Sequence, residues 1–511
     1  MAKKKSLKSF LESKRPRKKK ADRLAKMVKG KIHDHGFLCR GLEHVDAPDY
    51  IVCELKHDSQ IVPTQDGVQA PQERSGPLGK LNDVLNKFDV HSAHQHFPLA
   101  RKLRDIRQKL APQHHREKVD ANFAKAGFMR IRPKLGKHVH DLVKELNRHD
   151  SVWKAVVAPQ PIPASMPAGS DPGSRNFEFT QGYLDSAPEG IGALCVWGTH
   201  GAKGKGVTVC DIEGGWHFDH ESLPDIKHLG GTPLENEGWK NHGTAVMGAM
   251  LSQPGSIGTV GICHEAKAAT HSAYDGELFA PAGSISDATS KLKAGDVLLI
   301  ELQAKGPNNG KYIAMQYWDD VFAAIRAAVE KGIVVIEAAG NSGEDLDRKM
   351  YADTGLQKDS GAIVVGAGIP PNNGLNYYGD ELASYGFGKY DQLGEPRSRI
   401  FFSNYGGIVD AHGWGFHVTS TGYGDAQGGS DPNKWYTQCF TGTSSATPLV
   451  AGAAACIQGY AKKTLGEPLA PEKLRKILVS TGTAQVAGPK APLSQNIGPQ
   501  PDLAAAIKKV K

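Results

Sequence analysis

The sequence predicts an α/β protein in which a small α/β domain precedes a larger domain built on a parallel sheet. From Gly192 onward, short β-branched segments alternate with helix-forming segments, a pattern typical of a parallel sheet with helices on both faces. A chain of 511 residues is also too long for one compact core. A stretch rich in Pro, Ser, Gly and Asp separates the two predicted domains and indicates a linker.

The larger domain, residues 192–511, contains four segments with strand character and four with helix character. The predicted strands are 207–211, 297–302, 333–338 and 363–366, and the predicted helices are 243–251, 315–331, 447–461 and 471–480. Because strands and helices alternate, we expect the strands to lie parallel, with their carboxyl ends at one edge of the sheet.

The smaller domain is predicted for residues 49–159. Strand segments at 50–55, 128–133 and 152–157 accompany helices at 78–88 and 138–148. The apolar residues of the first helix recur at helical spacing, at positions 78, 81, 84, 85 and 88. Two successive strand-helix-strand units predict a ferredoxin-like fold. Residues 160–191 form the predicted linker.

The net charge of +8 originates in the first 32 residues, which hold 14 Lys and Arg against Glu12 and Asp22. Such a basic arm is either a solvated, disordered tail or a contact for an acidic partner, a nucleic acid or an anionic surface. Phe10 is the single aromatic residue among the basic ones, which argues against direct readout of bases.

The N-terminus is charged where a secretory signal needs an apolar core. No apolar run approaches the roughly 20 residues that a transmembrane helix requires. We therefore expect synthesis in the cytosol, followed either by retention there or by export through a route without a signal peptide.

Metal sites and disulfides are not predicted. The seven cysteines are odd in number and lack a Cys-x-x-Cys pair, which favours reduced, buried thiols over a disulfide framework or a zinc site. The histidines of the smaller domain, among them His138 and His140, lack partners at a recognised metal spacing.

A serine motif dominates the larger domain. Gly442-Thr443-Ser444 precedes a run of small apolar residues that favours a buried helix, so Ser444 is expected at a helix N-terminus. Pro448 is expected early enough in the helix for its missing N–H to cost little. The full run Gly-Thr-Ser-Ser-Ala-Thr-Pro resembles the nucleophile motif of the subtilisin-like serine proteases, the subtilases.

Three further segments resemble subtilase motifs in the same chain order. A strand ends in Asp211, His242 precedes small residues that open a helix, and Asn341 follows a strand and two small residues. The resemblance, which covers about the last 320 residues, implies a subtilisin-like three-layer fold and a serine endopeptidase. It also implies Ser444 as nucleophile, His242 as base, Asp211 as its orienting carboxylate and Asn341 in the oxyanion hole.

The same resemblance implies a precursor whose N-terminal domain inhibits the enzyme and is released by cleavage in the linker. The layout of residues 49–159 is similar to that of subtilase prodomains. Protein or peptide substrates are implied, and no organic cofactor. Calcium stabilises many subtilases, and the loop 424–431 carries Asp425 and Asp431, but its spacing matches no calcium motif and favours an ordinary turn.

The substrate-binding strand departs from the family pattern. Glu301, Leu302 and Gln303 stand where many subtilases have a Ser-Leu-Gly-like tripeptide. Further candidate substrate-binding residues are Glu337, Gly340 and Asp359. Three interpretations remain open for the carboxyl groups: an acidic pocket for Lys or Arg of the substrate, a buried pair of carboxyls that share a proton, or a local structural role.

The aspartate motif also departs from the family, because Asp211-Ile212-Glu213 replaces the usual Asp-Thr/Ser-Gly. Glu213 is expected either to tune Asp211 or to bind a local group. Two other classes of function compete with the enzyme: a catalytically silent protease fold used as a binding module, and a nucleic-acid- or surface-binding protein that depends on the basic arm.

Overall fold

The computed structural model describes residues 175–371 and 393–511, and between 51 and 157 the elements named below with a few adjoining residues. The basic arm 1–32, residues 160–174 of the predicted linker and parts of the smaller domain lie outside the described residues.

The smaller domain is organised around a four-stranded antiparallel sheet. Its described strands are β1 Ile51–Leu55, β2 Val62–Thr64, β3 Gly67–Gln69, β4 Val90–Gln95, β5 Phe128–Pro133 and β6 Val152–Val157, and its described helix is α1 Val139–Arg148. The sheet order is β4-β5-β1-β6, and β2 pairs with β3. Leu142 and Leu146 of α1 pack on Cys53 and Ile131 of the sheet. This strand order confirms the ferredoxin-like prediction and adds β4 as the strand that the sequence analysis did not locate.

The larger domain contains a seven-stranded parallel sheet. The strands in chain order are β7 Thr208–Glu213, β8 Ile226–Gly230, β9 Lys267–Ser272, β10 Tyr274–Asp275, β11 Leu278–Phe279, β12 Val297–Ile300, β13 Gln303–Lys305, β14 Tyr312–Ala314, β15 Val334–Ala338, β16 Ile363–Gly368, β17 Val409–Trp414, β18 Val418–Thr421 and β19 Tyr436–Phe440. The sheet order is β17-β16-β15-β12-β7-β9-β8, and the remaining strands pair as β10–β11, β13–β14 and β18–β19. The predicted parallel α/β fold is confirmed.

Helices cover both faces of this sheet. They are α2 Ala193–Val196, α3 Glu237–Leu251, α4 Pro281–Lys291, α5 Asp319–Glu330, α6 Thr443–Leu465, α7 Pro471–Thr481 and α8 Leu503–Ile507. Helices α3 and α6 pack on one face, and α4 and α5 pack with the apolar side chains of the other. No helix in the part of the chain that the structure describes is both long and apolar enough to cross a membrane.

The alternation of side chains along the strands determines which acidic residues lie on the same face of the sheet. Asp211 pairs with Leu299 across β7 and β12, and Ile300 pairs with Glu337 across β12 and β15. Because side chains alternate with a period of two, Asp211, Glu213 and Glu301 lie on the face that α3 and α6 cover. Glu337 lies on the opposite face.

Two helices begin earlier than predicted. Helix α3 begins at Glu237, where the Asn236 side chain accepts a hydrogen bond from Trp239 N, and α6 begins at Thr443. Pro448 therefore lies inside α6, and its missing N–H leaves the carbonyl of Ser444 without its helical donor. The predicted helix 315–331 is a 3₁₀ turn, Met315–Tyr317, followed by α5.

The larger domain begins before residue 192. Phe177 N donates to Gly258 O at 2.7 Å, and the ring of Phe177 packs on Tyr436 at a centroid distance of 5.1 Å. Gln500 Nε2 donates to Gly190 O at 2.8 Å. The described part of the predicted linker, from Arg175, is therefore packed on the larger domain.

Candidate active site

Ser444 lies in the first turn of α6, where backbone N–H groups have no helical partner. Gly442 precedes the helix with φ +119°, a conformation that side chains of L-residues rarely adopt. Thr443 follows it and donates through both its backbone N and its Oγ1 to Asn341 Oδ1, at 2.7 and 3.0 Å. This pair of bonds fixes Asn341 beside the start of the helix.

The two N–H donors of a candidate oxyanion hole flank the space next to Gly442. A Cβ placed on Gly442 would lie 3.3 Å from Asn341 Nδ2 and 3.5 Å from Ser444 N. The oxygen of the Asn341 amide is occupied by Thr443, which leaves the amide nitrogen to face this space. Two converging donors at a helix N-terminus are suited to a developing oxyanion.

The loop that carries Asn341 is held by side chains that the sequence analysis did not single out for this purpose. Gln303 Oε1 accepts from Asn341 N at 2.8 Å. Asn404, which is fully buried, donates to Tyr312 O and Ala339 O and accepts from the backbone N–H groups of residues 342 and 344, at 2.7–3.1 Å. Only the sequence neighbourhood Ser-Asn-Tyr-Gly marks Asn404, and that pattern suits any turn.

His242 lies in the second turn of α3 and is almost fully buried. Its Nδ1 is hydrogen-bonded to Glu213 Oε2, and Glu213 Oε1 accepts from Gly214 N at 2.9 Å. The imidazole packs edge-on against Phe440 at 5.7 Å. A side chain at Gly243 would collide with the Gly215 carbonyl, so this glycine lets α3 approach the turn after β7.

Asp211 does not contact His242, and the prediction that it orients the imidazole is wrong. Its Oδ2 accepts from Trp216 Nε1 at 2.9 Å, and its Oδ1 is buried without a hydrogen-bond partner. The physical reason is position along β7: Glu213 is on the same face, two residues or about 7 Å closer to the carboxyl edge, where α3 carries His242. The available signal was Glu213-Gly214-Gly215, a carboxylate directly before a glycine turn.

Glu301 is the third carboxyl group on this face. It is 3% exposed, neither of its oxygens has a well-formed hydrogen bond, and it lies beside the hydroxyls of Ser444 and Thr447. Burial, together with Asp211 and Glu213, raises the pKa of Glu301 well above its usual range, against a smaller opposite effect of the two hydroxyls.

Burial and the neighbouring Glu213 likewise raise the pKa of Asp211 well above its usual range, and the bond from Trp216 opposes this. Burial and the neighbouring acids favour the neutral form of Asp211 and of Glu301. Glu213 is the carboxyl of the three that bonds to His242.

Glu337 and Asp359 do not join this cluster. Glu337 Oε1 accepts from Gln316 N at 2.7 Å on the opposite face of the sheet, and burial raises its pKa to about 8. Of the three interpretations left open, a carboxyl pair of Glu301 and Glu337 that shares a proton is therefore excluded, because the two side chains lie on opposite faces of the sheet. Asp359 precedes β16 at the amino edge of the sheet and bonds to Arg475 Nη1 at 2.7 Å, away from Ser444.

These positions do not assemble the predicted acidic pocket. Glu337 holds local backbone and Asp359 is paired at the surface with Arg475, so neither extends the Glu301 carboxyl into a cation site. Leu302 is buried in the apolar core on the α4–α5 face. Of the candidate substrate-binding residues, Gln303 and Gly340 lie next to Asn341.

The loop considered for calcium uses its carboxylates internally. Asp425 Oδ2 accepts from Gln438 N at 3.0 Å, and Asp431 Oδ1 accepts from Asn433 N at 3.0 Å. No cluster of three or more His, Cys, Asp or Glu suited to a metal ion occurs within the described residues. Each of the two carboxylates of this loop therefore accepts a backbone N–H from a nearby residue.

Comparison with known proteins places this geometry in a family. The chain is 28% identical over 285 residues to subtilisin Savinase of Lederbergia lenta, covering 53% of this chain and 84% of that protein. It is 26% identical over 268 residues to subtilisin-like protease 2 of Pseudogymnoascus destructans, covering 50% of this chain and 53% of that protein. It thus spans about half the length of this fungal relative.

Solved structures support the fold. Fervidolysin from Fervidobacterium pennivorans, described as a keratinolytic enzyme related to subtilisin, matches with a TM-score of 0.50 at 16% identity, over 90% of this chain and 60% of that one. The model of the subtilase family matches residues 204–498, which is more than half of the chain and includes every site residue described above. The chain belongs to the subtilase family.

Proposed function

We propose that this chain is a serine endopeptidase whose triad is Ser444, His242 and Glu213. The observation that carries the proposal is the hydrogen bond between Glu213 and His242 Nδ1, on the same face of the sheet as Ser444 at the N-terminus of α6. A carboxylate on Nδ1 fixes the tautomer whose Nε2 can accept a proton. Glu213 thus takes the role that the sequence analysis gave to Asp211.

In the reaction we propose, Ser444 Oγ attacks the carbonyl carbon of a peptide bond while His242 Nε2 takes its proton. Glu213 stabilises the imidazolium that forms, and His242 then gives the proton to the leaving amine. The acyl-enzyme is hydrolysed by water in the reverse sequence of proton transfers. Asn341 Nδ2 and Ser444 N stabilise the tetrahedral oxyanion at the space beside Gly442.

A fluorophosphonate probe that labels activated serines tests this proposal. Wild type and Ser445→Ala should be labelled, and Ser444→Ala should not. Ser445 is a matched control because its Oγ donates to Trp414 O at 2.9 Å and so serves the backbone. If wild type is folded yet neither labelled nor able to hydrolyse casein, both intact and without residues 1–174, the binding-module alternative gains and the protease proposal fails.

We also propose that the smaller domain inhibits the enzyme until the chain is cleaved between residues 158 and 174. Support comes from an ion pair between Lys154 of β6 and Asp319 at the first position of α5. Helix α5 follows β13 and β14, and Gln303 of β13 bonds to Asn341. A carboxylate at a helix N-terminus that also binds Lys154 can anchor the smaller domain to the protease.

A charge exchange tests the anchor. Lys154→Asp should release inhibition, giving higher initial hydrolysis by freshly purified precursor, and Lys154→Asp with Asp319→Lys should restore it. N-terminal sequencing of the active form should place the new terminus between 158 and 174. Full activity of an uncleaved chain that retains the smaller domain would overturn the precursor proposal.

The basic arm is proposed to direct the enzyme to an acidic partner or an anionic surface. Its 14 Lys and Arg within 32 residues support this role. Deletion of residues 2–32 should leave peptide hydrolysis unchanged and alter the distribution of the protein between soluble and particulate fractions. An unchanged distribution would favour the solvated-tail interpretation.

A further inference from the structure

The surroundings of Glu301 taken together disfavour a negative charge on it, because burial and two neighbouring acids outweigh the two hydroxyls beside it. Asp211 and Glu213 of β7 face it from the neighbouring strand, and both oppose its ionisation. From α6 it meets the hydroxyls of Ser444 and Thr447. On the other neighbouring strand, β15, the positions of this face are the apolar Ile336 and Ala338. His242 is hydrogen-bonded to Glu213 and not to Glu301.

The hydrogen-bonding groups around Glu301 favour a proton on it. Both carboxyl oxygens are buried without a well-formed bond, which is costly for an ionised group. Thr447 Oγ1 already donates its hydrogen to Thr443 O at 2.6 Å, so towards Glu301 it can only accept. The remaining neighbour with a free hydrogen is Ser444, which can both donate and accept.

We propose that Glu301 is a further catalytic residue of this site, a neutral carboxyl that hydrogen-bonds to the Ser444 hydroxyl and holds the nucleophile for His242. The inference rests on the proposed protease function. In the resting enzyme the protonated carboxyl of Glu301 donates to Ser444 Oγ. No proton leaves Glu301 during the reaction, because its role is to position Ser444 and to keep this side of the site uncharged.

The arrangement has a direct consequence for turnover. Each attack by Ser444 creates a negative charge on the substrate oxygen, a few ångströms from the nucleophile. An ionised Glu301 would repel this charge, and it would bind the Ser444 hydroxyl more tightly than His242 can. Hydrolysis should therefore fall when Glu301 loses its proton at alkaline pH.

The experiment compares kcat and kcat/KM between pH 5 and 11 for wild type, Glu301→Gln and Glu337→Gln. Wild type should lose activity on the alkaline side by about tenfold for each pH unit above the pKa of Glu301, as expected for a single ionisation. Glu301→Gln keeps the shape of the side chain and a hydrogen-bond donor but cannot ionise. This variant should therefore keep its activity at alkaline pH. Glu337→Gln removes a buried carboxyl from the opposite face of the same sheet and should retain the loss.

Two results would overturn the inference. One is an alkaline limb that is the same in wild type and Glu301→Gln. The other is an infrared spectrum of wild type at pH 7 in which Glu301→Gln does not remove a neutral-carboxyl band, and this readout needs no turnover. If Glu301→Gln does not fold, Glu301→Ser provides the comparison, since it also removes the ionisable group and leaves a hydroxyl.

The proposed protease function fails in a different way. In that case wild type is folded but is not labelled at Ser444 and hydrolyses nothing at any pH. If wild type is active and labelled, but its loss of activity at alkaline pH is the same in Glu301→Gln, the protease proposal stands. Only the proposed role of Glu301 is then excluded.

Discussion

The two faces of the parallel sheet use buried acidic residues in opposite ways. On the α3–α6 face, Asp211, Glu213 and Glu301 meet next to His242 and Ser444. On the α4–α5 face, Glu337 stands among apolar side chains and accepts a backbone N–H from Gln316. All four carboxyls are buried, yet only Glu213 and Glu301 contact the base or the nucleophile. Burial of an acidic side chain therefore does not identify a catalytic role. The role is identified by the side chains that the acid contacts.

The largest expected effect separates two acids on one strand. Glu213→Gln should lower kcat by about 10³–10⁴-fold, because the imidazole loses the carboxylate that fixes its tautomer. Asp211→Asn should lower it less than about tenfold, since Trp216 can still donate to the amide oxygen. Steady-state hydrolysis of a peptide anilide measures both. The reverse ranking would return the orienting role to Asp211.

A smaller loss is expected at the oxyanion hole of the same face. Asn341→Ala removes one of two donors and should lower kcat by about 10²–10³-fold with little change in KM. Thr443→Val is a useful companion, because it removes only the Oγ1 bond at 3.0 Å to Asn341 and keeps the backbone bond. We expect it to cost at most about tenfold. Equal losses for both variants would mean that Asn341 acts through the loop and not on the substrate.

On the opposite face the expected effect is on stability and not on turnover. The pKa of Glu337 is raised from its usual 4.5 to about 8 by burial, so the folded protein holds a proton that the unfolded chain releases. The contribution of Glu337 to the free energy of unfolding should therefore be fully present below about pH 4.5 and decline as pH rises towards 8.

Glu337→Gln removes this decline. It should be more stable than wild type by a few kcal/mol at pH 8 and no more stable at pH 4, measured by denaturant unfolding. Its kcat near pH 7 should stay within about twofold of wild type. A large loss of kcat in a folded Glu337→Gln variant would mean that the α4–α5 face contributes to catalysis, contrary to the distinction drawn between the two faces.

The smallest effect is expected at Asp359, where an acidic substrate pocket was predicted. The carboxylate is mostly exposed and bonds to Arg475, so Asp359→Asn should cost about 0–1 kcal/mol of stability. Cleavage profiles on a peptide library should be unchanged by Asp359→Asn. A lost preference for Lys or Arg before the cleaved bond would restore the acidic-pocket hypothesis.

The sequence alone predicted the fold class, because strand and helix periodicities and the order of the motifs are local properties. It also predicted the local structure around Ser444 and Asn341, because each residue follows a glycine in a short motif. Gly442 precedes the start of a helix, and Gly340, with φ +100°, begins a loop. The order of the seven strands and the first residues of the helices, Glu237 and Thr443, were not predicted from the sequence. Helix caps and strand crossovers depend on residues that are far apart in the chain.

Only the tertiary structure decided which acid serves His242. Asp211 and Glu213 share a face of β7, and no local pattern says which of them α3 will approach. The choice depends on which residue of β7 lies opposite His242 of α3. The close approach of Gly243 to the Gly215 carbonyl brings α3 to the turn that follows Glu213. Likewise, the sequence presents Glu301 and Glu337 as residues on adjacent strands. Their separation follows from a register in which Ile300, and not Glu301, pairs with Glu337.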